Sequence, residues 1–195
     1  QDAFHGVTEV YHTAAVVSFE PGTKKQMFHT NVSGTANVVN AALEKKISKL
    51  CYVSSIAAFG RSSDKKPITE STHFSSSENP SAYSISKFEA EREVWRGIHE
   101  GLNAVIVNPS VILGPGDWSA GSARLFKTVY KGLKFYTRGV NGFVDVNDVA
   151  RAMILLMDSD VSGEQFLITA ENVSYQHLFT MMAAALKVEA PKYEA

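Results

Sequence analysis

Tyr83-Ser84-Ile85-Ser86-Lys87 carries a phenol and an ammonium four residues apart, a spacing that sets both groups on one face of a helix. A free tyrosine titrates near ~10 and a nearby cation favours the phenolate, so Lys87 is expected to bring Tyr83 toward physiological pH as a usable acid or base. The same spacing also fits an amphipathic helix with a half-buried ring and a solvated charge. Other segments decide between the two. Tyr52-Val53-Ser54-Ser55-Ile56-Ala57-Ala58-Phe59-Gly60 is apolar at its start and then delivers two hydroxyls. A hydroxyl there can donate to a substrate oxygen beside the tyrosine. His12-Thr13-Ala14-Ala15 places small residues where backbone amides can approach a ligand closely, and Asn31-Val32-Ser33-Gly34-Thr35-Ala36-Asn37-Val38 puts an amide and a glycine on a predicted helix.

The elements that position these groups alternate in type. Residues 7–12, 50–54 and 104–108 read as short buried strands, each apolar and ending in small or polar residues. Between them, 21–46 reads as a helix with Val32, Ala36, Val39 and Leu43 on one side. Residues 81–100 read as another, started by Pro80, with Tyr83, Phe88, Val94, Trp95 and Ile98 toward the core. Strand-helix alternation predicts an α/β fold with a parallel sheet covered on both faces, whose ligands bind at the carboxyl ends of the strands. Ser54, Ser55, Asn108, Pro109 and Ser110 fall there. The polar stretch 61–79 reads as a surface loop. Beyond the break at Gly114-Pro115-Gly116-Asp117, the pattern predicts helices over 122–131, 147–157 and 175–186, the last capped by Ser174, and strands over 142–146 and 165–169. Met181 and Met182 read as core filler.

The 195 residues are 45% apolar with a net charge of −1, and Lys and Arg are dispersed. That balance argues against nucleic acid or an anionic membrane as a partner. Cys51 stands alone, which excludes an intramolecular disulfide or a multi-cysteine metal site and suits a reducing, cytoplasmic setting. No apolar run approaches the ~18 residues of a membrane span. The six histidines show no metal-ligand spacing, so no metal is expected, and no Gly-x-Ser-x-Gly elbow surrounds any serine. His12, at a strand end, reads as packing or polar support rather than a proton donor.

In order and interval, these segments resemble the extended short-chain dehydrogenase/reductase family, the branch of NAD(P)-dependent sugar-nucleotide epimerases, dehydratases and dihydroflavonol-type reductases. The likeness runs from about Val7 to Thr169. It implies a Rossmann-like doubly wound parallel sheet, incomplete at the N-terminus, with part of a small C-terminal substrate lobe. On that reading 1–115 hold the carboxyl-terminal part of the NAD(P)-binding domain with the catalytic residues. Residues 116–195 mix a partial substrate lobe with returning elements of the sheet domain. The resemblance makes Tyr83 the general acid/base, Lys87 the lysine that lowers its pKa and bonds the nicotinamide ribose, and Ser55 the hydroxyl that polarises the substrate oxygen, with Ser54 as the neighbouring alternative. It further implies a cofactor loop at Thr13, Ala14, Ala15 and Val17, a ribose contact at Asn31, and a strand end beside the nicotinamide at Val107, Asn108, Pro109 and Ser110. Asp148, in a later strand-helix motif, is expected to cap a helix.

The cofactor implied is NAD or NADP, the substrate a small carbonyl or alcohol or a nucleotide sugar, and a homodimer is an allowed assembly. The family's Gly-x-x-Gly-x-x-Gly loop does not occur at the start of these residues, which open Gln1-Asp2-Ala3 without Met. The expectation is therefore a chain cut from something longer. Two alternatives stand: a sugar-nucleotide epimerase or dehydratase, and a non-catalytic dinucleotide-binding or scaffold protein. Epimerase-type members place an Arg just before the later strand, and Arg138 is offset from that position, which favours a dihydroflavonol-reductase-like substrate.

Overall fold

The computed structural model describes residues 2–18, 20, 22–60, 67–75 and 80–195; most of the predicted loop over 61–79 lies outside them. The chain forms two compact units, one of residues 1–109 and 151–168, the other of residues 110–150 and 169–195.

The first unit is built on four parallel strands in the order β1 (Glu9–His12), β2 (Lys49–Val53), β3 (Ala104–Pro109) and β7 (Glu164–Ile168). β3 is buried along its whole length, as expected of a central strand covered on both faces. One face packs on two helices, α2 (Gly34–Glu44) and α3 (Ala82–His99). Val39, Ala42, Leu50, Tyr52, Ala90, Val94, Ala104 and Ile106 form that core. Gly97 permits the close packing of α3, because a Cβ there would lie 2.5 Å from Val39 Cγ1. On the other face, Lys49 reaches the carboxyl end of α5 (Val146–Met157), donating to the carbonyls of Leu156 at 2.6 Å and Ser159 at 2.5 Å. A cation there satisfies carbonyls that the helix leaves without partners.

The predicted first helix is present but not uniform. A short α1 (Lys24–Phe28) runs into one π turn, His29–Ser33, before α2 resumes. Single π turns inside helices occur often at functional sites, and this one carries Asn31. α3 begins two residues later than Pro80 would start it: Ser81 is the cap, its Oγ accepting from Ser84 N at 3.1 Å. Val94, Trp95 and Ile98 face the core as expected, but the buried face is wider than the apolar one. Ser84, Ser86, Lys87, Ala90, Glu91, Val94 and Gly97 point inward, so the helix buries a polar stripe beside its apolar one.

The second unit has β4 (Val111–Leu113), β6 (Val140–Asp145) and β8 (Glu171–Ser174) in one sheet, and a two-stranded pair, β5 (Phe135–Tyr136) and β9 (Tyr193–Glu194). Helices α4 (Ala123–Tyr130) and α6 (Tyr175–Leu186) pack there around Val129, Phe143, Leu178 and Phe179. Ser174 caps α6 as expected, accepting from His177 N at 3.2 Å. Met182 is core while Met181 is exposed. At the start of α5 the capping carboxylate is Asp145, which accepts from Asn147 N at 2.7 Å, and Asp148 lies inside the first turn.

Candidate active site

β2 ends at Val53, and the chain turns at once into a 3₁₀ turn, Ile56–Phe59, closed by Gly60 in the left-handed region at φ 76°. Ser55 caps that turn, its Oγ accepting from Ala57 N at 3.1 Å. The Ser55 side chain also acts on Tyr83, opposing the rise in its pKa. Ser84 Oγ donates to Ala57 O at 2.6 Å, pinning the first turn of α3 to the same segment. The segment that carries Ser55 and the first turn of the helix that carries Tyr83 are therefore held together.

Lys87, one helical turn on, is 2% exposed. Its charge is not solvated, contrary to the plain amphipathic-helix reading. Its Nζ donates to Tyr52 Oη and to Val53 O, both at 2.9 Å, and lies 4.6 Å from the centroid of the Tyr52 ring. Burial lowers the Lys87 pKa to about 8, against a raising contribution from Glu91. Tyr83 moves opposite to the direction expected from its spacing to Lys87. Burial raises it, and the Ser55 hydrogen bond opposes that rise only in part. The physical reason is that removing a phenolate from water costs more than one neutral donor returns.

Glu91, 7% exposed, stands a further turn along α3. It accepts from Ser54 Oγ at 2.6 Å and Asn108 Nδ2 at 2.7 Å, and Trp95 Nε1 reaches its other oxygen at 3.4 Å. Asn108 Nδ2 also donates to Ser55 O at 3.3 Å. Ser54 is thus committed to the carboxylate behind the site rather than turned toward a ligand. Asn31 is likewise committed. Its Oδ1 accepts from Val16 N at 2.7 Å, and its Nδ2 donates to Val16 O at 3.0 Å and Ser86 Oγ at 3.0 Å. Ser86 Oγ in turn donates to Tyr83 O at 2.8 Å. The amide at the π turn therefore ties the loop after β1 to the helix that carries Tyr83.

The remaining expected residues are spread more widely. Thr13, Ala14 and Ala15 form an exposed loop after β1, and Val17 is 59% exposed. Val107 and Pro109 are buried in β3. Ser110 belongs to the second unit, where its Oγ donates to Thr169 Oγ1 at 3.1 Å. Asp117 is held within its own loop by Ser119 N at 2.8 Å and Ser119 Oγ at 2.6 Å. Among the described residues no group of three or more His, Cys, Asp or Glu side chains is placed to hold a metal. Nor is any helix among them long and apolar enough to cross a membrane.

His12 is 7% exposed, with its Nε2 2.9 Å from Thr35 Oγ1. Burial, aided by the charge on Lys87, lowers its pKa from 6.5 to about 4. Between those values the unfolded chain binds a proton that the folded one refuses, so this contribution to stability is full above about pH 6.5 and lost as pH falls toward 4, at most about 3 kcal/mol. Urea midpoints measured at pH 7 and pH 4.5 should differ less in His12→Gln than in the parent protein.

The model of the NAD dependent epimerase/dehydratase family matches residues 1–169 of this sequence. The chain belongs to that family. It is 31% identical over 186 residues to cinnamoyl-CoA reductase 1 of Petunia hybrida, covering 90% of this chain and 55% of that protein. Sterol demethylase protein B of Methylococcus capsulatus is 30% identical over 174 residues, 88% of this chain and 53% of that one. The crystal structure of gox2253 matches with a TM-score of 0.88 at 33% identity, over 97% of this chain and 58% of that one. The chain thus spans about half the length of the family relatives it matches.

The family motifs led to Tyr83, Lys87 and Ser55, but not to Tyr52, Thr35, Ser86 or Glu91. Glu91 did leave a signal, since it lies four residues beyond Lys87 on the same helix face. Tyr52 left a fainter one, a phenol in an otherwise apolar strand that needs a hydrogen-bond partner when buried.

Proposed function

We propose that this protein is an NAD(P)-dependent oxidoreductase acting on a carbonyl or alcohol substrate, with Tyr83 as the acid/base. The observation that carries this reading is that the turn capped by Ser55 is pinned to the first turn of the Tyr83 helix, Ser84 Oγ donating to Ala57 O at 2.6 Å, with Lys87 buried one helical turn from Tyr83. The residues present fit a nicotinamide dinucleotide. A lysine ammonium has three donors; Lys87 commits two within the protein, and the third would serve a ribose hydroxyl of the bound cofactor. The nicotinamide, when bound, supplies the hydride chemistry. Tyr83 passes a proton to or from the substrate oxygen, Ser55 donates to the same oxygen, and the charge of Lys87 favours the phenolate that forms on Tyr83. Cytoplasmic residence and a homodimeric state complete the proposal. The first is supported by a single buried thiol whose pKa burial pushes up to about 11, the second by the family resemblance.

A reductase is favoured over a sugar-nucleotide epimerase by two observations. The named relatives above 30% identity include a cinnamoyl-CoA reductase. Arg138, the candidate for holding a diphosphate, instead pairs its Nε with Glu194 at 2.5 Å. The full-length protein should oxidise NADH or NADPH with at least one member of a panel of aromatic aldehydes, ketones and acyl-CoA thioesters, followed by nicotinamide absorbance. Interconversion of UDP-sugars without net nicotinamide turnover would move the assignment to the epimerases. Quenching of nicotinamide fluorescence with no turnover on either panel would make the protein a binder.

A further inference from the structure

Behind Lys87 lies a buried row of polar groups drawn from four elements. The Lys87 ammonium donates to Tyr52 Oη at 2.9 Å, the Thr35 side chain acts against the burial that raises the Tyr52 pKa, and Thr35 Oγ1 lies 2.9 Å from His12 Nε2. All four side chains are buried, Tyr52 at 1% exposure. The rings of His12 and Tyr52 also pack with centroids 5.3 Å apart.

Donor capacity fixes the Lys87 end of the row. An ammonium can only donate, so Tyr52 Oη accepts from Lys87. Burial keeps the Tyr52 phenol protonated at neutral pH. Thr35 Oγ1 and His12 Nε2 share a hydrogen bond whose donor is set by the imidazole tautomer, and the lowered pKa of His12 keeps that ring neutral beside Lys87. A lysine with several rotatable bonds is thus fixed at its charged end by an oxygen on a buried ring.

We propose that Tyr52 is the positioning residue for Lys87, held in place through Thr35 and His12. The proposal rests on the reading of Lys87 as part of the acid/base set. Tyr52 touches neither substrate nor cofactor; it acts through Lys87 by fixing the ammonium and favouring its charged form. Without the phenol oxygen, a buried ammonium keeps only the carbonyl of Val53 from this pair of acceptors. Its charged form is then less favoured, and the alkaline limb of the rate profile moves to lower pH.

The test compares Tyr52→Phe, Thr35→Val and Tyr83→Phe with the parent full-length protein, using the carbonyl substrate found active and pH profiles of kcat and kcat/KM. Tyr52→Phe keeps the ring, so its KM for the carbonyl substrate should hold. Its kcat should fall on the order of 10- to 100-fold, the usual worth of a hydrogen bond to a charged group, and its alkaline limb should shift down. Thr35→Val should shift the same limb the same way by less. A parent-like kcat and alkaline limb in Tyr52→Phe, with Tyr83→Phe inactive, overturns the positioning role and leaves the acid/base reading standing. Retained activity in Tyr83→Phe sinks the acid/base reading and this proposal with it. If Tyr52→Phe does not fold, an unshifted limb in Thr35→Val overturns the proposal and a shifted one upholds it.

Discussion

Tyr83→Phe is expected to lower turnover by ~10²–10⁴-fold with the fold intact, the range that positioned acid/base groups supply. The substitution keeps the ring and removes one hydroxyl, and a single neutral hydrogen bond is worth only about 1 kcal/mol net to stability. Steady-state rates on a confirmed substrate, with a thermal melt of the same preparation, separate the two effects. Activity within about tenfold of the parent would make the role assignment wrong. The raised pKa of Tyr83 adds a direction to this expectation. A phenol held above its ordinary value is protonated at neutral pH, so in carbonyl reduction the proton donor is already in place. In alcohol oxidation the same residue must first lose its proton. On the proposed reading, that loss leans on Ser55, the group that acts against the burial raising the Tyr83 pKa.

The strands of the first unit were legible because central parallel strands are apolar throughout; β2 and β3 match their predicted spans to within a residue. β4, β5, β8 and β9 were not legible. They have two to four residues each, too few for a period to emerge, and what places them is pairing with strands distant in sequence. The site divides in a similar way. Tyr83, Lys87 and Ser55 announce themselves by residue type and interval, so their identity precedes any structure. Their partners do not. Glu91 sits among Glu89, Arg92, Glu93 and Arg96, where a carboxylate reads as one more solvated charge, and Asn31, which the resemblance marks as a ribose contact, gives no sign of its bonds to Val16 and Ser86. Its four-residue spacing from Lys87 is a hint, and the packing of α3 on the sheet turns Glu91 inward while Arg92 and Glu89 pair on the outside at 3.0 Å.

That inward carboxylate carries the largest expected effect on stability. Glu91→Ala would leave Ser54 Oγ and Asn108 Nδ2 without the acceptor they share, and would remove the negative charge that raises the pKa of Lys87. Breaking a buried charge arrangement by deleting one partner typically costs ~3–5 kcal/mol, a third or more of the ~5–15 kcal/mol that holds a domain folded. The urea midpoint should fall accordingly with the slope unchanged, since the surface exposed on unfolding is the same. Glu91→Gln separates the charge from the hydrogen bonds, because its amide oxygen can still accept from Ser54 and Asn108. It should recover most of the lost stability yet leave Lys87 with less to oppose desolvation. If Glu91→Ala costs under about 1 kcal/mol, water reaches these groups when the carboxylate is gone. The polar stripe of α3 would then be a wet seam rather than a sealed one, and Lys87 would owe its low pKa to less burial than its 2% exposure implies.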